Sequence, residues 1–214
     1  MTTYNTGLSQ YITDLFAAQD EALRHAWEDT PKKGLPAISV RPEEGRFLQV
    51  LARACGAMKA LEIGTLGGYS GIWIARGLAP GGKLITLEKE PYHAEVAGQH
   101  FAAAGLADQV EIRVGNAHQL LASLVAEGPF DFVFIDAEKP GYLAYFDWAL
   151  ENVRLGGVIT AHNALRGGKV AERGQVDEAT QAIQAFNLQV AQEPRVLSTI
   201  YPAGDGTLVA VKIS

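Results

Sequence analysis

Apolar side chains recur at helical spacing near the start of the chain. Leu8, Tyr11, Ile12, Leu15, Phe16, Ala22, Leu23, Ala26 and Trp27 predict one helix over 8–29 with a single apolar face. Thr30-Pro31-Lys32-Lys33-Gly34 is its expected stop. A second helix is predicted over 42–55, with Pro42 at its first position and Gly56 just past its end. From Met58 the pattern changes. Short apolar runs at 58–63, 83–88, 110–114, 131–136 and 156–161 alternate with helical stretches near 69–79, 91–104, 117–126 and 140–152. That alternation predicts a parallel sheet covered on both faces.

The last segment breaks the rhythm. A helix near 176–191 leads to 195–201, then Pro202-Ala203-Gly204-Asp205-Gly206, then 207–212. Two strands joined by a short glycine-rich loop predict an antiparallel hairpin. The fold class is therefore α/β: a Rossmann-like, doubly wound, mostly parallel seven-stranded sheet with an antiparallel C-terminal hairpin strand. There is no internal repeat, low-complexity stretch or linker. Residues 1–214 read as one domain, with N-terminal helices over about 8–55 packed on a core over 56–214.

Composition narrows the function classes. The chain has 214 residues and a formal charge of −6, which opposes sequence-independent nucleic-acid binding. No apolar run is long enough to span a membrane, and the N-terminus has no basic region followed by an apolar one. A soluble, cytoplasmic protein is expected. The single cysteine, Cys55, excludes a disulfide framework and reads as a small core residue. The 23 glycines gather at junctions, and the chemistry is sought there.

The first strand ends in Glu62-Ile63 and turns at Gly64, with Gly67 and Gly68 following and Ser70 able to cap the next helix. Ligands of open α/β sheets bind beyond the carboxyl ends of strands. The spacing is not G-x-G-x-x-G, and Glu62 would repel a pyrophosphate but suits a cationic ligand such as S-adenosylmethionine. Glu88 ends the second strand, where an acid bonds ribose hydroxyls. Gly115-Asn116-Ala117 follows the third strand, where adenine would lie. Asp136 and Lys139 leave the fourth strand, and His162 and Asn163 the fifth, so the four could share a pocket. A base or a divalent metal there would activate a hydroxyl, since a phenol has a pKa of about 10.

These pieces resemble the cation-dependent O-methyltransferases of the caffeoyl-CoA and catechol type. The resemblance runs from about residue 38 to the end. It rests on Leu61-Glu62-Ile63-Gly64 with Gly68-Tyr69-Ser70, on Phe130 to Lys139, on Gly156-Gly157 with Asn163, on Pro194-Arg195, and on Pro202 to Gly206. It implies S-adenosylmethionine contacts at Val40, Glu62, Gly64, Ser70, Glu88, Ala117 and Asp136. It implies that Lys139 helps to deprotonate the acceptor, that Asp136, His162 and Asn163 hold a divalent metal cation, and that Asp205 lies near the substrate. The implied acceptor is a small hydroxylated aromatic, and the implied assembly a homodimer. Tyr142 and Tyr145 follow the family pattern and equally suit packing of a helix face.

His162 departs from the family, which usually has Asp there. Three readings follow: a softer divalent metal such as zinc, manganese, iron or nickel; no metal, with His162 as the base; or an altered, inactive site. The rival functions are an NAD-linked oxidoreductase and a non-catalytic S-adenosylmethionine-binding protein. His25, His93, His100 and His118 are expected on surfaces or in packing, with His118 bordering the adenine pocket. The loop 164–175 and the N-terminal helices are expected to govern acceptor choice.

Overall fold

Alternation along the strands decides the architecture. In the computed structural model, which describes residues 4–214, strand β1 (Lys59–Ile63) buries Leu61 and Ile63 on one face and Ala60 on the other. Strands β2 (Lys83–Glu88), β4 (Phe130–Ile135) and β5 (Val153–Ala161) divide in the same way. Phe132, Phe134 and Val158 join Ala60 and Leu84 on one side, while Val133, Ile135 and Ile159 join Leu61 and Ile85 on the other. A strand apolar on both faces is stable only between two helical layers.

The sheet has the order β3-β2-β1-β4-β5-β7-β6, with β3 (Val110–Val114), β6 (Val196–Tyr201) and β7 (Thr207–Lys212) completing it. The first five strands are parallel; β7 runs antiparallel between β5 and β6. The expected doubly wound sheet and hairpin are therefore present. The switch point lies between β1 and β4, whose carboxyl ends emerge side by side, with Ile63 paired to Ile135.

Helices α4 (Tyr69–Gly77) and α5 (Pro91–Ala103) cover one face; α6 (Ala117–Leu124), α7 (Tyr142–Asn152) and α8 (Glu178–Gln192) cover the other. Helix α3 (Pro42–Ala54) packs on α4 so closely that a side chain at Gly45 or Gly77 would collide with its neighbour. Strand β5 starts earlier than the expected 156–161. Gly156, at φ +72°, absorbs a register shift against β4 and lets the ladder resume at Val158.

The single helix expected over 8–29 is two. Helix α1 (Thr6–Phe16) ends at Ala17, and α2 (Glu21–Lys32) begins where the Asp20 carboxylate accepts the Leu23 N–H at 3.0 Å. A good cap outweighs continuous apolar spacing. Helix α1 docks through polar groups: Tyr4, Ser9 and Thr13 all donate to the buried Glu43 carboxylate at the start of α3. Its apolar side chains Tyr11, Leu15 and Phe16 stay more than half exposed. Helix α2 runs on through Pro31, and Gly34 at φ +81° turns the chain away.

Phe134 is fully buried near the carboxyl end of β4. Phe134→Ala is expected to cost about 3–5 kcal/mol, read as a fall in the urea midpoint with unchanged slope. A loss below about 1 kcal/mol would mean that the two helical layers close over the gap.

Candidate functional site

Beyond the carboxyl ends of β1, β2, β3 and β4 lies a cleft of about 820 Å³. Its walls include Val40, Gly64, Ser70, Glu88, Ala117, Asp136, Lys139 and Asn163, so most of the expected site residues share one cavity. Glu62, His162 and Asp205 do not line it. Residues that the sequence did not single out also form the wall, among them Ser39, Leu66, Glu138 and Arg166. His93 corrects its expected surface or packing role: it reaches the cleft, with Nδ1 3.6 Å from Glu88 Oε1. His118 lies beside the wall, stacked on Tyr145 at 4.7 Å.

The glycine turn is tight for a stated reason. Gly64 has φ +100°, and a Cβ there would strike the carbonyl of Asp136. Only glycine lets β1 and β4 release their loops this close together. Leu66 follows at φ +49°, held by its N–H donating to Glu88 Oε2 at 2.7 Å; the Thr65 N–H reaches the same oxygen at 3.3 Å. Glu88 Oε1 accepts the Glu90 N–H at 2.9 Å. The acid at the tip of β2 thus shapes the turn as well as facing the cleft.

Glu62 sits behind the turn, fully buried. Its carboxylate accepts from Ser70 Oγ at 2.6 Å and Thr86 Oγ1 at 2.7 Å. Burial raises its pKa to about 7 against those two hydroxyls, and the charges of Asp136 and Glu88 push the same way. The influence of Glu62 on a ligand passes through Ser70 and its own field.

At the other end of the cleft, four ionisable groups form a chain. Lys139 Nζ donates to Asp136 Oδ1 at 3.1 Å, to the Ala137 carbonyl at 3.1 Å and to the Tyr142 hydroxyl at 2.7 Å. His162 Nδ1 lies 3.2 Å from Asp136 Oδ2, and its Nε2 lies 3.0 Å from Glu44 Oε1. Burial opposes charge on His162, but Asp136 and then Glu44 overcome it and raise the pKa to about 10. Burial also opposes ionisation of Asp136, yet the charges of His162 and Lys139 hold it well below the usual carboxylate range. Glu44 is itself buried and also accepts the Arg41 N–H at 2.8 Å, within the capping box of α3.

His162 was expected as a metal ligand or as a base; here both of its ring nitrogens face carboxylates, Asp136 and Glu44. A doubly protonated imidazole has no lone pair to give a metal and no capacity to act as a base. Of the three expected metal positions, Asp136 and Asn163 keep oxygen donors and His162 presents an N–H. The donor set as arranged does not fit a divalent cation; an imidazolium between two carboxylates stands in its place. Glu44 was missed because it lies 118 residues from His162, and the sequence shows only an acid in the first turn of a helix. Asn163, at φ +56°, turns its Nδ2 to Asp205 Oδ2 at 2.8 Å, so Asp205 supports the cleft from behind.

Comparison with known proteins identifies the family. The family model described as O-methyltransferase matches residues 13–213. A catechol O-methyltransferase of Niastella koreensis is 47% identical over 195 residues, covering 90% of this chain and 88% of the relative. A catechol O-methyltransferase of Mycobacterium tuberculosis is 41% identical over 205 residues, covering 94% and 93%. The crystal structure of the O-methyltransferase from Bacillus cereus in complex with SAH superposes with a TM-score of 0.90 at 41% identity, covering 97% of this chain and 98% of that one. With a family model spanning nearly the whole chain and relatives this similar over nine-tenths of its length, the chain belongs to the O-methyltransferase family.

Proposed function

We propose that this enzyme transfers a methyl group from S-adenosylmethionine to one hydroxyl of a small catechol-type acceptor, in the cytoplasm and without a metal in the cleft. The observation that carries this reading is the cationic Lys139 at the edge of β4, on the same cleft wall as the glycine turn. The relatives named catechol O-methyltransferase support the acceptor class.

The residues fit S-adenosylmethionine. Gly64 leaves room for backbone approach, Glu88 faces the cleft where ribose hydroxyls bind, and Val40 and Ala117 supply apolar wall. No phosphate-binding arrangement competes, since Glu62, Glu88 and Asp136 make this end of the sheet acidic. Bound there, the cofactor supplies an electrophilic methyl carbon whose bond to sulfur breaks as the acceptor oxygen attacks.

The chain's own groups prepare that oxygen. Lys139 makes three contacts to acceptors, as an ammonium does, and its charge lowers the cost of the acceptor's oxyanion. Asp136 and Tyr142 fix the ammonium in place. His162 and Glu44 hold Asp136, so the cation nearest the acceptor keeps its position as the hydroxyl gives its proton to solvent water at the cleft mouth. The fixed cleft aligns oxygen and methyl, which supplies a further share of the rate. Arg166, at φ +50° and within the segment expected to govern substrate choice, lines the acceptor side next to Asn163. A second copy of the chain would seat on α1, covering Tyr11, Leu15 and Phe16.

Three outcomes test this reading. Lys139→Ala is expected to lose about 100-fold or more in kcat while calorimetry shows unchanged S-adenosylmethionine affinity; unchanged turnover would remove Lys139 from the reaction. Turnover of a catechol at saturating cofactor is expected to survive EDTA. Loss that a single added metal restores would overturn the imidazolium arrangement. The third outcome concerns pH. Glu62 is neutral below about 7 and ionised above it, and a cationic ligand favours the ionised form. Affinity for S-adenosylmethionine should therefore rise as pH climbs toward 7 and level off above it, by roughly tenfold per unit at most. Glu62→Gln should flatten the profile, and a profile that survives the substitution assigns the effect to another group.

A further inference from the structure

A second histidine–carboxylate cluster lies away from the reaction groups. His25 and Asp29 stand four residues apart on α2 and so share one face of the helix. Helix α5 brings His100 against them, with its side chain fully buried. One ligand atom from each of the three lies within 4.8 Å of the others. His100 Nε2 is 3.2 Å from Asp29 Oδ2, and the rings of His25 and His100 meet edge to face at 5.3 Å.

The hydrogen on His100 can be placed. Its Nδ1 lies 2.7 Å from the Gly67 carbonyl oxygen, which only accepts, so Nδ1 carries a proton. In the neutral ring the lone pair of Nε2 then points at the Asp29 carboxylate, another acceptor. Two facing acceptors need a cation between them, a second ring proton or a metal ion, and the third donor atom on His25, within 4.8 Å, is what an added metal would use. A ligating imidazole that donates its other N–H to a backbone carbonyl is the usual outer-shell arrangement of protein metal sites. Two imidazoles and one carboxylate suit zinc and its first-row neighbours rather than magnesium or calcium. His25 is exposed, which leaves a fourth position to water.

We propose that His25, Asp29 and His100 bind one zinc ion, or a similar first-row divalent ion, that fastens α2 to α5 behind the glycine turn. The place gives the ion a structural consequence. Gly67 belongs to the turn that carries Leu66, Tyr69 and Ser70 into the cleft. Helix α2 already presses on that turn, since a side chain at Gly67 would collide with Thr30 Oγ1. Tyr69 donates to Gln19 at 3.0 Å and packs against Trp27 of α2. An ion here would add a coordinate tie between α2 and α5, which His100 already links to the turn. It would stabilise the fold while leaving the reacting groups untouched.

The test uses the full chain, stripped with chelator and titrated with cobalt(II) and with zinc(II). The wild-type protein is expected to bind one equivalent of cobalt with the intense visible bands of a four-coordinate ion. Zinc should displace the cobalt and raise the melting midpoint. His25→Gln changes an exposed side chain and keeps the fold, checked by circular dichroism; Asp29→Asn is the second variant. Each is expected to weaken zinc binding by about 100-fold or more and to abolish the zinc-dependent rise in melting midpoint. Asn163→Ala should leave both unchanged, which separates this site from the cleft. The proposal is overturned if the wild-type protein binds no cobalt, if binding is indifferent to His25→Gln and Asp29→Asn, or if binding moves with Asn163→Ala.

Discussion

One buried charge arrangement organises the functional end of this molecule. The His162 imidazolium lies between two carboxylates, Asp136 at the tip of β4 and Glu44 in the first turn of α3. Either carboxylate alone in that environment would be neutral or disruptive, because an unpaired buried charge costs several kcal/mol. The imidazolium compensates both. It therefore fixes where α3 begins, how β5 ends and how Asp136 faces Lys139. The loop before β7 follows, since Gly204 has space for no side chain beside Glu44. Removing the imidazole would leave Glu44 a buried anion without its cation and Asp136 with Lys139 alone, so the integrity of this corner and the position of the reacting lysine are one property.

The sheet was legible because its signals are local. Each strand is a short apolar run bounded by turn residues, and each helix between strands has a proline or glycine near an end, as at Pro91 and Gly105. The glycine turn was legible for the same reason. Where distant residues decide, the sequence was silent. Glu43 and Glu44 look like a helix's solvated first turn, yet one receives α1 and the other pairs with a histidine just past a far strand. The split between α1 and α2 was hidden because apolar spacing continues across Asp20, and Tyr11, Leu15 and Phe16 look like core residues while remaining exposed. His162 stood out as irregular in the sequence, but its consequence could be read only once Glu44 was known to face it.

Left-handed backbone gathers at the cleft. Leu66, Asn163 and Arg166 are the non-glycine residues with positive φ among those described, and all three line it. Such conformations cost on the order of 1–3 kcal/mol each and persist where surrounding contacts overdetermine them. Glu88 holds the backbone of Leu66, and Asp205 holds the amide of Asn163. These two acids, one in the cleft wall and one behind it, thus maintain a strained rim, which places side chains where a relaxed loop would not.

The placement of β7 bears on how the chain is made. It lies between β5 and β6 but is synthesised after both. Until it emerges, the hydrogen-bonding edge of β5 stands open beside an already assembled parallel sheet, and β6 has no strand to pair with. An open apolar edge is a template for intermolecular association. Asp205, on the loop just before β7, reaches Asn163 only when that gap closes. Completion of the sheet and completion of the acceptor side of the cleft are a single late event, so a nascent or truncated chain exposes its stickiest edge while it is still unable to catalyse anything.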